Sequence, residues 1–243
     1  MRLGCSPFLQ PPAYSLQSPL HLSILGSGTA RPTHRRASAG YLVEWAGGAL
    51  ILDPSAGTYM RALKAGLDPK RLVAVVLSHL HADHSADLPG LLWAWRQEKL
   101  EAALAIVGPP GTLDLVNRAR ELYGDRTPAQ VRAFPWSELG LSVEAFPARH
   151  SEGSVCLTIR ADGKTLAFSG DTADCAGLRA ACTGADLALL ECTAQEPKEG
   201  HLSPEECERI VAATRPKRVL LTHIGPGVTP TLPTAEDGLV VSL

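Results

Sequence analysis

The sequence predicts a layered α/β fold, and three observations support this. Short apolar runs of strand length occur in both halves of the chain. Segments with helical periodicity lie between these runs rather than in a separate block, as expected when helices pack on sheets. No fixed-period repeat or low-complexity linker interrupts the pattern, so residues 20–243 are predicted to form a single domain.

The first half of the chain gives the clearest local signals. Two segments of strand length, 41–45 and 49–53, flank Gly47-Gly48 and predict a hairpin. Gly66 ends an amphipathic segment, as is typical of a helix C-terminus. The run 72–78 is almost wholly apolar, which indicates a strand covered on both faces. In chain order, the predicted strands are 21–25, 41–45, 49–53, 72–78 and 103–107, and the predicted helices are 56–65, 88–99 and 112–123.

The second half is predicted to be strand-rich, with one well-marked helix. Ser203 is a suitable N-cap, Pro204 suits the first helical position, and Glu206 completes a capping box. Asp162-Gly163 predicts a tight turn between two strands. The predicted strands of this half are 131–134, 141–146, 155–159, 165–169, 187–191, 219–222 and 239–242.

Composition and charge exclude several classes of protein. No apolar stretch is long enough to cross a bilayer, so no membrane association is expected. A net charge of -2 argues against a surface built for stable nucleic-acid binding. None of the six cysteines forms a C-x-x-C pair, which favours reduced thiols and a cytoplasmic location. Four prolines break residues 1–19, which are predicted to be a loose extension without a secretory signal.

A histidine-rich segment directly follows the apolar run. His79, His81 and His84, with Asp83, place three imidazoles and a carboxylate within six residues. In an extended chain the first two point to one side, and a turn after Ala82 can bring the others to the same cavity. Nitrogen ligands with a few oxygens suit Zn²⁺, and also Mn²⁺ or Fe. A solvated polar loop is the alternative, but such a loop rarely needs three histidines.

Three further candidate ligands lie where later strands are predicted to end. His150 follows the strand 141–146 and a proline, Asp171 follows the strand 165–169, and His223 closes the strand 219–222. Each residue by itself is compatible with an ordinary loop position. Together with the histidine-rich segment they make seven potential metal ligands at strand ends.

This ligand pattern resembles that of the metallo-β-lactamase fold hydrolases with a binuclear centre. The resemblance runs from about residue 22 to residue 225 and implies a four-layer αββα sandwich, with two divalent metal ions at one edge between the sheets. It also implies that a metal-bridging hydroxide is the nucleophile, which Asp83 can help to orient. The implied ligands are His79, His81 and His150 for the first ion, Asp83, His84 and His223 for the second, and Asp171 as the bridge.

Three further segments are similar to the ribonuclease Z-like phosphodiesterase branch of that fold. The first is the stretch 25–38, the second is the stretch 53–58, and the third is Glu191-Cys192-Thr193 followed by a His-x-Ser at His201. The stretch 54–56 reads Pro-Ser-Ala where that branch usually has Cys-Gly-Glu. The similarity implies that Glu191 and His201 act on the scissile phosphate. The residue types suit this role, because an imidazole can donate a proton and a carboxylate can fix its tautomer. A surface histidine before a helix cap is the alternative for His201.

The spacing of the ligands favours a small substrate. Only 21 positions separate His150 and Asp171, where ribonuclease Z carries an inserted arm that grips tRNA. We therefore expect a small or cyclic phosphodiester, or a short nucleic-acid end. Arg31, Arg35 and Arg36 could contact phosphate, or could simply be solvated.

Other functions remain open at this stage. The same fold and metals could serve hydrolysis of a lactam, lactone, thioester or sulfate ester, or cleavage at a tRNA 3′ end. A di-iron oxidoreductase could use the same ligands, and a non-catalytic binding module is the remaining alternative. The resemblance also allows a homodimer.

Overall fold

The computed structural model describes residues 20–98, 102–124 and 126–243. The predicted extension over residues 1–19 lies outside the described residues, and the single domain over 20–243 stays a prediction. No helix in the described part of the chain is both long and apolar enough to pass through a bilayer.

The described residues form thirteen strands and six α-helices. The strands are β1 (His21–Gly26), β2 (Gly40–Trp45), β3 (Gly48–Leu52), β4 (Leu72–Val76), β5 (Leu104–Val107), β6 (Ala129–Arg132), β7 (Trp136–Glu138), β8 (Leu141–Pro147), β9 (Val155–Ala161), β10 (Lys164–Phe168), β11 (Leu187–Cys192), β12 (Val219–Ile224) and β13 (Val240–Ser242). The helices are α1 (Thr58–Lys64), α2 (Ala82–Ser85), α3 (Leu88–Gln97), α4 (Thr112–Tyr123), α5 (Ala176–Cys182) and α6 (Pro204–Thr214).

The strands form two mixed sheets. One has the order β13-β1-β2-β3-β4-β5-β6, and the other has the order β12-β11-β10-β9-β8-β7. In the first sheet β3, β4, β5 and β6 are mutually parallel, and in the second β10, β11 and β12 are parallel. Parallel neighbours end at the same edge of a sheet, so the segments that follow them are brought close together.

The core confirms the predicted four-layer αββα sandwich. Side chains from the facing sides of the two sheets form one buried cluster, in which the rings of Tyr41 and Phe168 meet edge to face with centroids 5.2 Å apart. A second cluster joins the outer side of the first sheet to α1, α3 and α4, and a third joins the second sheet to α5 and α6. In β4, Val76 faces the other sheet and Val75 faces the helices, which explains the unbroken apolar run.

One predicted strand is shifted along the chain, and three elements, β7, α2 and α5, were not predicted from the sequence, for identifiable reasons. The strand expected at 131–134 lies at Ala129–Arg132, because its pairing with β5 ends before Pro135. β7 and β8 are joined by a turn whose first residue is Leu139 with a φ of 48°, and leucine is an unusual residue for that conformation. Helix α5 is capped by the thiol of Cys175 instead of a hydroxyl or carboxylate, so its start carries no usual signal. The short helix α2 replaces the turn expected after Ala82.

The capping box predicted for α6 is confirmed. The Ser203 hydroxyl accepts the backbone N–H of Glu206, and the Glu206 carboxylate accepts the backbone N–H of Ser203 at 3.0 Å. We expect Ser203→Ala to lower the free energy of unfolding by about 1 kcal/mol, because two buried partners lose their hydrogen bonds. Chemical denaturation measures this loss. Replacement of the exposed Glu205 by Gln serves as the control, and equal stability of the two variants would contradict the role of the box.

Candidate metal centre

The histidine-rich segment continues from β4 and turns into α2. The backbone stays extended through His81, which is the N-cap of α2, and the helix then turns Asp83 and His84 back towards the strand ends. His79 and His84 are buried, whereas His81 is exposed at the edge. The imidazole of His79 therefore lies beside those of His81 and His84, with ring centroids 4.7 and 4.2 Å away.

The seven predicted ligands come together in two groups. Within each group, one potential ligand atom from every residue lies within 4.8 Å of the others. Nδ1 of His81 is 3.0 Å from Nε2 of His150, and Nε2 of His223 is 3.3 Å from Oδ2 of Asp83. The first group contains His79, His81 and His150, and the second contains Asp83, His84, Asp171 and His223.

Asp171 lies between the two groups. Its Oδ1 is 3.4 Å from Nε2 of His84, and its Oδ2 is 4.0 Å from Nε2 of His150. One carboxylate therefore faces both groups with different oxygens. This arrangement is compatible with the bridging role that the sequence resemblance implies.

The donor set fits divalent metal ions. Nε2 of His79 and Oδ1 of Asp171 are buried and have no hydrogen-bond partner among the described residues. An unsatisfied buried polar atom costs about 1 to 3 kcal/mol, which a bound cation would recover. Five imidazoles and two carboxylates are the ligand types that Zn²⁺ takes in proteins.

Asp53 supports two of the imidazoles, a role that the sequence did not reveal. Its fully buried carboxylate accepts the Nδ1–H of His84 at 2.8 Å and the hydroxyl of Ser78 at 2.6 Å. Nδ1 of His79 lies 3.0 Å from the same hydroxyl and donates to it, because the hydroxyl proton is directed at Asp53. One feature of the sequence indicates this role: Asp53 directly follows the apolar strand β3, which pairs with β4.

The surroundings set the protonation of these histidines. Burial lowers the pKa of His79 to about 2, so its ring is neutral, as a metal ligand must be. Burial also opposes the charged form of His84, but the carboxylates of Asp171 and Asp53 outweigh it and raise its pKa well above the usual value. A proton on His84 thus balances buried negative charge that a metal cation would otherwise neutralise.

We expect Asp53→Asn to lower metal affinity by about 10- to 100-fold, the range for loss of a residue that orients metal ligands. The asparagine amide has only one oxygen, so it cannot accept the backbone N–H of Ser78 at one end and the His84 Nδ1–H with the Ser78 hydroxyl at the other, as the two carboxylate oxygens do. Competition with a chelator measures the affinity. Asp68→Asn, an exposed N-cap of the 3-10 turn at Pro69–Arg71, is the matched control, and equal affinities in the two variants would contradict this role.

Hydrogen bonds to the backbone and to a threonine orient two further imidazoles. The Nδ1–H of His150 donates to the Gly200 carbonyl at 3.0 Å. Nδ1 of His223 lies 2.8 Å from the hydroxyl of Thr193, and His223 adopts a left-handed backbone with a φ of 50°. Both rings therefore direct Nε2 towards other candidate ligands, His81 for His150 and Asp83 for His223. A strained backbone at such a position is typical of functional sites.

Glu191 and His201 form the hydrogen-bonded pair that the sequence predicts. Nδ1–H of His201 donates to Oε1 of Glu191 at 3.0 Å, and the imidazole centroid lies 4.9 Å from that of His150. Burial lowers the pKa of His201, but the hydrogen bond and charge of Glu191 outweigh it and raise the pKa overall. Glu191 is fully buried and also accepts the backbone N–H groups of Thr172 and Thr193. Glu191 therefore positions His201, and its own carboxylate is not exposed to solvent.

The loop between β1 and β2 carries three arginines, which differ in their surroundings: Arg31, Arg35 and Arg36. The loop borders the centre, since Ser27 accepts the backbone N–H of Ile224 at 3.0 Å. Arg36 donates to the Ser27 hydroxyl at 2.7 Å and to the Ala235 carbonyl, so it fixes the loop. Arg31 and Arg35 are exposed.

Comparisons with known proteins agree with this architecture. A family model described as a β-lactamase superfamily domain matches residues 49–224. A ribonuclease Z of Mycobacterium bovis is 30% identical over 190 residues, which cover 69% of this chain and 68% of the relative. The crystal structure of the short form of human tRNase Z superposes with a TM-score of 0.79 at 26% identity, covering 91% of this chain and 98% of that one.

The metallo-β-lactamase fold protein YhfI from Bacillus subtilis also superposes well. Its TM-score is 0.81 at 21% identity, and the match covers 93% of this chain and all of that one. At this level of identity the likeness concerns the fold, and it agrees with the two packed sheets described above.

Proposed function

The chain belongs to the β-lactamase superfamily, and from that premise we propose that it hydrolyses small phosphodiesters with two divalent metal ions, most readily Zn²⁺. The family match and the ribonuclease Z relative together make it a metal-dependent hydrolase of ribonuclease Z-like type. The proposed ligands are the seven residues of the metal centre, with Asp171 as the bridge between the ions. Bound metal ions would supply an activated water and neutralise charge on the phosphoryl oxygens.

The observation that carries the phosphodiester proposal is the Glu191–His201 pair beside the ligands. The Nδ1–H of His201 is hydrogen bonded to Glu191, so Nε2 of His201 is the atom that can carry a proton towards a bound substrate. Glu191 favours the protonated imidazole, which can donate that proton to a departing oxygen. Hydrolysis of a lactam or a thioester at the same metals has no need for this pair. The pair therefore favours a phosphodiester substrate.

Asp83 has a second proposed role besides metal ligation. Its Oδ2 lies 3.3 Å from Nε2 of His223, and although burial raises the pKa of Asp83, this hydrogen bond and the charges of His84 and His223 together lower it to about 2. The carboxylate is thus ionised and can accept a hydrogen bond from the attacking water, which orients that water. About one seventh of the side chain is exposed, which leaves it accessible from the cavity.

The small size of the substrate is supported by the segment between His150 and Asp171. It contains β9 and β10, whose pairing of Ala161 with Lys164 closes a tight hairpin. Asp162 and Gly163 both have positive φ, as the turn requires. The segment thus holds one hairpin and no arm that could grip a folded RNA.

A second candidate function is cleavage of tRNA precursors at the 3′ end. The 30% identity to the ribonuclease Z of Mycobacterium bovis favours it. The exposed Arg31 and Arg35 could contact a terminal phosphate. Without a gripping arm, tight binding of the tRNA body would have to come from elsewhere, and the net charge of -2 does not suggest a large basic surface.

Substrate-panel kinetics on protein reconstituted with Zn²⁺ or Mn²⁺ tests the proposal. We expect turnover of bis-p-nitrophenyl phosphate and cyclic nucleotides, with little dependence on salt, and little turnover of lactams, lactones, thioesters or sulfate esters. Tight, salt-sensitive binding of precursor tRNA with clean 3′ cleavage would overturn the small-substrate proposal in favour of the second candidate. Elemental analysis with an optical spectrum checks that no di-iron centre is present.

A further inference from the structure

A groove lies beside the metal centre, where the last strand of the first sheet, β6, approaches β8 and β9 of the second. The loop between β5 and α4, with the first residues of α4, closes its other side. Its volume is about 710 Å³, within the range of roughly 300 to 1,000 Å³ that ligand pockets have in proteins. None of the seven candidate metal ligands lines it, so the groove is separate from the ligand set.

The walls of the groove are joined to the segments that carry the metal ligands. Val155 lines the groove, and its backbone N–H donates to the carbonyl of Ser78, at the start of the histidine-rich segment, at 3.0 Å. Gly111 also lines it and packs so closely on Leu80 of the same segment that an added Cβ would lie 2.9 Å from Leu80 Cδ1. Strand β8 runs from the groove into the loop that carries His150. A ligand bound at the centre therefore has this groove as its neighbour.

The lining of the groove is mostly apolar. Phe134 is only partly buried, and it packs against the core cluster between the two sheets. Leu113, on the first turn of α4, is an exposed large apolar side chain on the other side of the groove. Burial of both surfaces by a ligand is favourable, and an aromatic ring gains further from an offset or edge-to-face contact with Phe134.

The charge of the groove suits an anionic ligand. Arg132 is the only charged residue among the described residues that line it, and no carboxylate does so. Its guanidinium is attracted to an anion and can also stack on the face of an aromatic ring. The lining thus favours an aromatic group attached to a phosphate over a cationic group.

On the premise that the centre hydrolyses phosphodiesters, we propose that this groove binds the aromatic ring of one ester group of the substrate, a nucleobase or an aryl group. The phosphate then lies at the metal centre and the ring lies between Phe134 and Leu113. The preferred substrates are therefore diesters with at least one aromatic ester group, and diesters with two small alkyl groups are poor substrates.

Calorimetric titration of the Zn²⁺-loaded protein with two pairs of ligands measures what the ring contributes. Phenylphosphonate is compared with methylphosphonate, and adenosine 5′-monophosphate is compared with ribose 5-phosphate. In at least one pair we expect the ring to lower Kd by about tenfold, the lower end of what burial of an aromatic side chain contributes. An advantage in the first pair alone identifies an aryl ester, and an advantage in the second identifies a nucleobase.

Two variants locate the ring in the groove. Ala133→Trp places a large side chain at an exposed position of the lining, so it should remove the advantage of the ring without a cost to the core. Phe134→Ala removes one wall and should lower the same advantage, and Ala133→Trp keeps the test valid if loss of Phe134 impairs folding. Ala213→Trp, an exposed alanine of α6 outside the groove, is the matched control and should keep the wild-type advantage.

Equal Kd values within both pairs would overturn the groove as a binding site, and so would an Ala133→Trp protein that keeps the advantage of the ring. Binding needs no turnover, so the groove and the proposed function can fail separately. A ring advantage in a protein that hydrolyses no phosphodiester would uphold the groove and refute the proposed function. Hydrolysis of phosphodiesters with equal affinities in both pairs would do the reverse.

Discussion

Asp171→Ala is expected to remove most of the bound metal and to lower turnover by more than about 100-fold, the upper end for residues that only orient ligands. The reason is its position, since its two oxygens face both ligand groups and Oδ1 has no other hydrogen-bond partner among the described residues. Metal analysis of the dialysed variant and steady-state kinetics on a phosphodiester measure the two effects. Together they distinguish a shared ligand from a residue that serves one ion.

Asp174→Asn is the matched control for this variant. Asp174 lies on the same loop, but its carboxylate pairs with Arg179, away from the histidines. Its loss should leave metal content and turnover near the wild-type values, because an ion pair this exposed contributes little to stability. An Asp171→Ala protein that keeps both metals would remove the bridging assignment. A variant that loses only one of them would assign Asp171 to a single ion.

The convergence of the candidate metal ligands could be predicted from the sequence because one simple regularity governs it. Parallel strands end at one edge of a sheet, so polar residues directly after apolar runs converge there. His79, Asp171 and His223 follow this rule, and all three lie at the centre. Strand order and register were not needed for this step. The αββα layering could not be predicted from the strand ends alone, and its prediction depended on the resemblance to a known fold.

The supporting residues could not be predicted in the same way. Asp53 and Ser78 act through contacts between neighbouring strands, and the sequence does not state which strands are neighbours. Thr193 reaches His223 across 30 positions of chain. These features come from tertiary packing, which overrides local propensity.

His201→Ala is expected to lower turnover by about 10²- to 10³-fold for a diester with an alkoxide leaving group. The loss should be under about tenfold when the leaving group is p-nitrophenolate, which departs without a proton. The imidazole has the required position, beside His150 and held at Nδ1 by Glu191. Paired kinetics on the two substrates measure the difference. Metal content should not change, since His201 is outside the proposed ligand set.

Glu191→Gln separates proton donation from simple packing. If Glu191 acts through His201, this variant should show the same leaving-group dependence with a smaller loss, because glutamine can still accept a hydrogen bond but carries no charge to favour the protonated ring. His21→Ala, in β1 and hydrogen bonded to Ser242, is the control and should leave both substrates unaffected. Equal losses on the two substrates in His201→Ala would instead assign His201 to binding of a phosphoryl oxygen, because that role does not depend on the leaving group.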